Sequence, residues 1–340
     1  MNAPQQPAAP GAVRLQLLDV LGGFLYTQAI ATVARLGVAD IVGEEPVPVE
    51  ELAARVGADP SALHRVMRLL AAVGIFSQAA PGAFVGTQLS DGLRDDRPDS
   101  VRYLAMQQGS PAYLAASEML RCVRTGEPAA ETVFGMPFFE YLATDAEASD
   151  VFNRAMAGGA AARASVALEY DWSGASVVAD IGGGTGSLLS SVLGAQPHLR
   201  GVVFDLPHVA VEARPVIEAA GLSDRCETAG GDFFTEALPS ADVYVLAQIL
   251  HDWDDERAVA ILRNCRRSIA EGGRVLVVEQ VLPEGNEPSY GKLIDLIMLT
   301  LLGGKERTEA EWRTLLREGG FELVGVTTGP AASLLEAAPA

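Results

Sequence analysis

Asp180, Gly182, Gly183, Gly184, Gly186 and Asp205 are the first residues in this chain whose types and spacing suggest chemistry. A β-branched apolar run from Val177 ends at Asp180, the glycines follow, a helical segment opens behind them, and a second apolar run, Val202 to Phe204, closes on Asp205. Glycines in such a turn let main-chain N–H groups face a ligand without Cβ interference, next to a helix N-terminus. Asp205 would stand at the carboxyl end of the next parallel strand, where a carboxylate accepts both hydroxyls of a ribose. That much fits any nucleoside-containing cofactor. Asp180 puts a negative charge where a pyrophosphate would lie, and the loop lacks the Lys-Ser or Lys-Thr ending of a phosphate-cradling loop. S-adenosylmethionine, with its amino group and sulfonium, tolerates the acid; a nicotinamide dinucleotide and a purely structural turn are the alternatives.

Further along, Gly230-Gly231-Asp232-Phe233-Phe234 ends a third strand unit. Asp232 is placed there to accept the exocyclic amine of an adenine, with Phe233 packing on the ring. Ala241 to Leu250 is predicted as the fourth strand and delivers His251-Asp252-Trp253-Asp254-Asp255 to the same edge. Gly273 to Glu279 is the fifth, ending on Glu279, and an apolar helix over Lys292 to Leu302 leads to Gly303-Gly304-Lys305-Glu306-Arg307-Thr308. His251, Glu279 and Glu306 can therefore converge above the glycine turn. A lone histidine is usually structural, but one at a ligand-binding edge with two acids to orient its ring is equipped for proton transfer.

The elements that must position these groups alternate strand and helix from Val177 onward, as a doubly wound α/β sheet requires. The chain has 340 residues, 49% of them apolar, enough for two domains. Its first half reads differently. Leu18, Leu21, Leu25, Ala29, Val33 and Leu36 recur at helical spacing. Val49 to Val56 is a short helix ended by Gly57, and Asp59-Pro60 opens another carrying Leu63, Val66, Met67, Leu70 and Val73. A small hairpin around Ala80-Pro81-Gly82 follows, which completes a winged helix. Residues 1–13 are expected to be a disordered tail, 14–98 the winged-helix domain, 99–168 a helical linker and substrate lid, and 169–340 the cofactor-binding domain. The polar run Asp91 to Ser100 is the linker candidate.

A formal net charge of −19 opposes a nucleic acid partner. The helix bearing His64, Arg65 and Arg68 is therefore read as part of a dimerisation module rather than a DNA reader, with His64 on its polar side. Arg263, Arg266 and Arg267 read as a solvated helix face. No apolar run is expected to span a bilayer, and the amino terminus lacks the basic start and apolar core of a secretory signal. Cys122, Cys226 and Cys265, odd in number and widely spaced, suit buried thiols of a reducing cytoplasm, with no metal spacing.

DIGGGTG, FDLPHV, GDFF, HDWDD, VVEQVLP and GGKERT, in this order, resemble the plant-type and hydroxyindole-type small-molecule O-methyltransferases. The bacterial branch that tailors aromatic natural products, including mitomycin and anthracycline enzymes, is the most similar. The resemblance covers nearly the whole chain and implies a Rossmann-like methyltransferase sheet, a homodimer through the winged-helix domain, and S-adenosylmethionine converted to S-adenosylhomocysteine. It places Gly182, Asp205, Gly231, Asp232, Phe233 and Gln248 at the cofactor and His251 as general base, with Glu279 and Glu306 holding it. Where some members carry Lys or Arg at or beside position 248, this chain has Ala247-Gln248. Some anthracycline relatives without the histidine are hydroxylases; here it is present. The implied reaction is methylation of a hydroxyl on a small aromatic metabolite. N-methylation, cofactor-assisted hydroxylation or decarboxylation are the alternatives, and a DNA-binding regulator or a nicotinamide dehydrogenase lies further off. Phe138, Met156, Trp253, Asp295 and Met298 are the candidate pocket walls. With a reference pKa of about 6.5, His251 is expected to be mostly neutral at pH 7.

Overall fold

The computed structural model describes residues 10–329 and 332–340, which divide into two compact units at Pro111/Ala112. In the first, helices span Pro10–Leu21, Gly23–Leu36, Val49–Val56 and Pro60–Ala72. The local signals act as predicted. Gly57 ends its helix at φ +69°, and the Asp59 carboxylate accepts the Ala62 N–H while Pro60 opens the helix. Strands β1 (Val47–Pro48), β2 (Ser77–Ala80) and β3 (Ala83–Val85) form a small antiparallel sheet in the order β1-β3-β2, so the wing has a third strand that the sequence reading missed. Leu63, Met67 and Leu70, one face of their helix, pack with Val33, Leu52, Phe76 and Phe84. His64 is not on the polar side: its ring lies 5.9 Å from Phe84, and its Nε2 is buried without a hydrogen-bond partner.

Two expectations for this region change. The expected tail falls mostly on residues outside those described, but its last four, from Pro10, are helical. The run at Asp91 to Ser100 is no free linker, since the Asp95 N–H bonds Asp40 Oδ1 and Arg102 pairs with Asp40, which holds the segment on this unit. The helix Arg102–Gln107, expected in the lid, belongs here as well. The stretch Gly11–Leu36 is also long and apolar enough to cross a membrane by length and composition, contrary to expectation, because Arg14, Asp19 and Arg35 are its only charges. Val13, Leu15, Leu17, Leu18, Val20 and Leu21 are all exposed on it.

The second unit carries the site. Strands β4 (Val177–Ile181), β5 (Arg200–Asp205), β6 (Cys226–Gly230), β7 (Val243–Ala247) and β8 (Arg274–Glu279) are parallel. The short pair β9 (Val281–Leu282) and β10 (Arg307–Thr308) lies outside this sheet, and β11 (Phe321–Thr328) and β12 (Ser333–Pro339) complete it antiparallel. The spatial order is β6-β5-β4-β7-β8-β12-β11, and the chain reverses direction of travel between β4 and β7. Ligands of open α/β sheets bind at such a switch point, beyond the carboxyl ends of the strands. Helices cover both faces: Ile181, Tyr244, Leu246 and Val277 pack with Leu262 and Trp312, while Val178, Val203, Val245 and Val278 pack with Leu189 and Leu193. Such strands, apolar on both sides, are what a doubly covered parallel sheet demands. Outside the sheet, Phe134, Phe138, Tyr141 and Leu142 form a separate helical core with Leu301 of the later π-turn. The predicted helix to Leu302 is regular only over Tyr290–Ile297; Met298–Leu302 is a wider π-turn, closed by the Gly303 N–H on the Met298 carbonyl at 2.7 Å.

Candidate active site

At the end of β7 the backbone turns so that the N–H groups of Ile249, Leu250 and His251 point at one atom, Glu279 Oε1, at 2.9, 3.1 and 3.4 Å. Glu279, the last residue of β8, thus fixes where the histidine leaves the sheet. The imidazole Nδ1 stands 2.7 Å from Glu306 Oε1 and 3.5 Å from Glu279 Oε2, and Nε2 lies 3.3 Å from Asp252 Oδ1. Two ligands around one metal ion, each bonded at about 2.0–2.2 Å, stand about 3 Å or more apart. The 2.7 Å contact is that of a charge-assisted hydrogen bond. Glu306 is itself held: its N–H donates to Asp295 Oδ1 at 2.9 Å, and the Lys305 N–H donates to the His251 carbonyl at 2.9 Å. Gly304 approaches the His251–Trp253 backbone so closely that a Cβ would overlap the His251 carbonyl oxygen.

Arg307, fully buried, locks this turn. Its Nη1 donates to the carbonyls of Leu250 and Lys305, its Nη2 to Trp253 and Asp255, and its Nε to Asp255, while the guanidinium lies 5.2 Å from the Trp312 ring centroid. All the donors of its fork find acceptors.

His251, Glu279 and Glu306 are buried at 6%, 0% and 2% exposure. Burial alone would lower the imidazole pKa, but the charges of Glu279, Asp252 and Glu306 outweigh it and raise the value to about 10. Burial raises Asp252 to about 6 and also raises Glu279, with His251 opposing both. The expectation of a neutral His251 at pH 7 is therefore corrected: surrounded by three acids, the resting ring is imidazolium.

The residues expected to hold the cofactor lie across the switch point. Gly182, Gly184 and Gly186 adopt φ +73°, +55° and +71°, open to glycine at little cost, and a Cβ on Gly182 would strike Ile249. Asp205 receives the N–H groups of Gly184 and Leu206 at 2.8 and 2.7 Å, tying the turn to the end of β5. Asp180, fully buried, has its pKa raised to about 7 by burial and by Asp205. Asp232 accepts from the Phe234 N–H and the Thr235 hydroxyl, so its carboxylate braces its own turn. Gln248 sits in the left-handed region at φ 55°, and its Oε1 accepts from Arg163 Nη1 at 2.8 Å. Arg163 also donates to the Met156 carbonyl and faces the charges of Asp180 and Glu279. A site with one half-buried guanidinium, flanking acids and an open glycine cradle fits the carboxylate, amine and ribose of S-adenosylmethionine.

Residues 18–94 match the O-methyltransferase dimerisation domain and residues 117–322 the O-methyltransferase domain. The chain belongs to this O-methyltransferase family. Phenazine O-methyltransferase PhzM of Lysobacter antibioticus is 47% identical over 333 residues, covering 97% of this chain and 98% of that one. Aclacinomycin 10-hydroxylase RdmB of Streptomyces purpurascens is 35% identical, over 98% and 91%. Among solved structures, the O-methyltransferase NcsB1 from neocarzinostatin biosynthesis, in complex with S-adenosylmethionine and 2-hydroxy-5-methyl naphthoic acid, superimposes with a TM-score of 0.80 at 36% identity, over 92% and 96%. The protein is an S-adenosylmethionine-dependent O-methyltransferase with an amino-terminal dimerisation domain.

Within this methyltransferase the expected pocket walls divide. Trp253 lies 6.2 Å from Phe139, edge-on to Phe233 and Phe234, with Arg257 4.8 Å above it. Phe138 is 2% exposed and packs in the helical core, so its neighbour Phe139, in contact with Trp253, replaces it as the wall candidate. Met298 is buried in the π-turn. Asp295 spends an oxygen on the Glu306 N–H and is a positioning residue for that glutamate. Arg163, Asp252 and Arg307 were missed. Arg163 lies in an alanine-rich helix with nothing local to mark it, whereas Asp252 and Arg307 sit inside the HDWDD and GGKERT motifs.

Proposed function

We propose that the enzyme methylates a hydroxyl on a small planar aromatic acceptor, with His251 as the proton-accepting group. The observation that carries this reading is the pairing of His251 Nδ1 with Glu306 at 2.7 Å, which directs Nε2 away from both glutamates. S-adenosylmethionine, when bound, supplies a methyl group activated by its sulfonium. Gly182, Asp205, Gly231, Asp232, Phe233 and Gln248 hold it, and Arg163, seated on Gln248, supplies the cation for its carboxylate that position 248 lacks. Nε2 takes the hydroxyl proton, Glu306 fixes the tautomer and stabilises the imidazolium, and Glu279 anchors the backbone beneath. Phe139, Trp253 and Met156 offer aromatic and thioether surface to a flat ring, with Met298 buried behind in the π-turn.

The relatives' names support an aromatic acceptor: one acts on a phenazine, and another binds a hydroxynaphthoic acid. The exposed Leu18, Val20 and Leu21 are read as part of a homodimer surface, since residues 18–94 match a dimerisation domain, and Val13, Leu15 and Leu17 extend that apolar surface along the same helix. The unpaired buried cysteines accord with a cytoplasmic location. Neither nucleic acid nor membrane is part of this reading.

The test is His251→Ala, assayed with S-adenosylmethionine and a panel of hydroxyphenazine and hydroxynaphthoic acids by product mass. General-base assistance contributes about 10²–10⁴ in rate, so methylated product should fall by that factor while S-adenosylhomocysteine affinity, read by calorimetry, stays within a few-fold. Full methylation by the variant removes His251 from the reaction. A product gaining oxygen rather than a methyl group would favour the hydroxylase alternative.

A further inference from the structure

The mechanism leaves a proton stranded. Each methyl transferred from a sulfonium to a hydroxyl releases one proton, and His251 receives it in a buried pocket. Nδ1 is closed by Glu306 and Glu279, both fully buried side chains, so no proton leaves by that nitrogen. On the other side, Nε2 has Asp252 Oδ1 at 3.3 Å, and the Asp252 side chain keeps 16% of its surface exposed against 8% for the histidine and none for either glutamate. Among the described residues the Asp252 carboxylate is paired with no other group. Its charged surroundings are His251 and Glu306.

We infer that Asp252 is the proton exit of this active site, the carboxylate that takes the proton from His251 Nε2 and passes it to water. The proposal rests on His251 being the proton-accepting group. In the resting site Nε2 carries a proton. Transfer to Asp252 Oδ1 leaves a neutral imidazole and a carboxylic acid, and the acid then loses its proton to solvent. The neutral Nε2 accepts the hydroxyl proton of the acceptor as the new O–C bond forms, and the imidazolium is restored. Charge and protons balance, with one proton released per turnover. Burial lifts the Asp252 pKa to about 6, between an ordinary carboxylate and the histidine, so transfer from the ring runs uphill and the acid then gives its proton readily to water at neutral pH. Its neighbour in sequence, Asp254, caps the next helix instead by accepting the Arg257 N–H.

The experiment uses the full-length enzyme saturated with S-adenosylhomocysteine and compares the wild type with Asp252→Asn and Asp252→Ala. Exchange of the His251 ring Nε2 proton with water, measured by ¹⁵N NMR, should slow at least tenfold in both variants, and added imidazole or formate should restore it in Asp252→Ala. In turnover with 1,4-dihydroxy-2-naphthoic acid, the same small buffers should raise the rate of Asp252→Ala saturably and leave the wild type unchanged. A residue that only shapes the pocket would not respond to buffer. Unchanged ring-proton exchange in both variants overturns the proposal. The NMR readout needs no acceptor, so it stays informative if the acceptor is wrongly chosen; loss of activity in His251→Ala tests the parent reading separately.

Discussion

Replacing Glu306 by Gln isolates the charge next to the imidazole while keeping shape. The wild-type contact is 2.7 Å between buried groups, Nδ1 and Oε1. Gln can still accept the Nδ1–H, so the change is from a charge-assisted hydrogen bond of about 1.5–3 kcal/mol to a neutral one of about 0.5–1.5 kcal/mol. That difference, about 1.4 kcal/mol, equals about one pKa unit and about tenfold in rate. The His251 pKa should therefore fall from about 10 by about one unit, remaining above its ordinary value because Glu279, 3.5 Å from Nδ1, and Asp252 still act on it. Above the ring pKa, where the ring is already neutral, turnover should fall about tenfold, because the imidazolium that forms as the proton arrives is less well held; below it the larger neutral fraction offsets that loss. A pH titration of the His251 ring resonance measures the first quantity and a pH–rate profile the second. The sign for stability follows. The folded pKa lies above the unfolded value of 6.5, so the contribution is complete below about pH 6.5 and lost as pH rises to about 10. In Glu306→Gln that loss should be complete about one unit lower, visible in urea unfolding at a series of pH values. An unchanged ring pKa together with turnover within twofold of wild type would refute the assignment of Glu306.

Two further substitutions probe the supports. Arg163→Met removes the guanidinium that bonds Gln248 and faces Asp180; S-adenosylhomocysteine binding by calorimetry should weaken about tenfold or more, the worth of one charge-assisted bond. Gly304→Ala places a methyl group against the His251 carbonyl and the Asp252 backbone, so turnover should drop at least about tenfold while cofactor affinity is retained, since a small misplacement of a catalytic group is costly.

The cofactor half was readable in sequence because its parts are local. A strand, a glycine turn and a strand-end acid occupy Val177 to Asp205, and the structure returns them as β4, the turn at Gly182 to Gly186, and β5. The winged helix was equally legible from Gly57, Asp59-Pro60 and the hairpin glycine, each acting within a few residues. What escaped depends on long-range contact. Nothing near Arg163 predicts that it reaches Gln248, 85 residues away, and nothing near Asp295 predicts that it caps Glu306. The two-residue strand β1 has too little pattern to be seen before its partner β3 is in place. The histidine's charge state was misjudged for the same reason: a reference pKa describes a solvated ring, and three acids are delivered to this one by two different strand ends and a distant loop.

Main-chain N–H groups and the half-buried guanidinium of Arg163 explain how an acidic protein keeps so many acids inside its site. Asp180, Glu279 and Glu306 are almost wholly buried, and isolated carboxylates there would lose hydration worth several kcal/mol each. Arg163 lies where it meets the fields of Asp180 and Glu279 on the cofactor side. Arg307, on the other side, bonds no active-site acid; it grips the carbonyls of Leu250 and Trp253 and so holds the backbone turn that carries His251. Three main-chain N–H groups solvate one oxygen of Glu279, and the other lies 3.5 Å from the imidazole Nδ1. Glu279 Oε2 and Glu306 Oε2 accept no hydrogen bond, and the charges of these two acids and of Asp252 keep the imidazole basic enough to take a proton from a weakly acidic hydroxyl. Burying these charges therefore has a chemical use: replacing one with a neutral side chain would lower the basicity on which the proposed reaction depends.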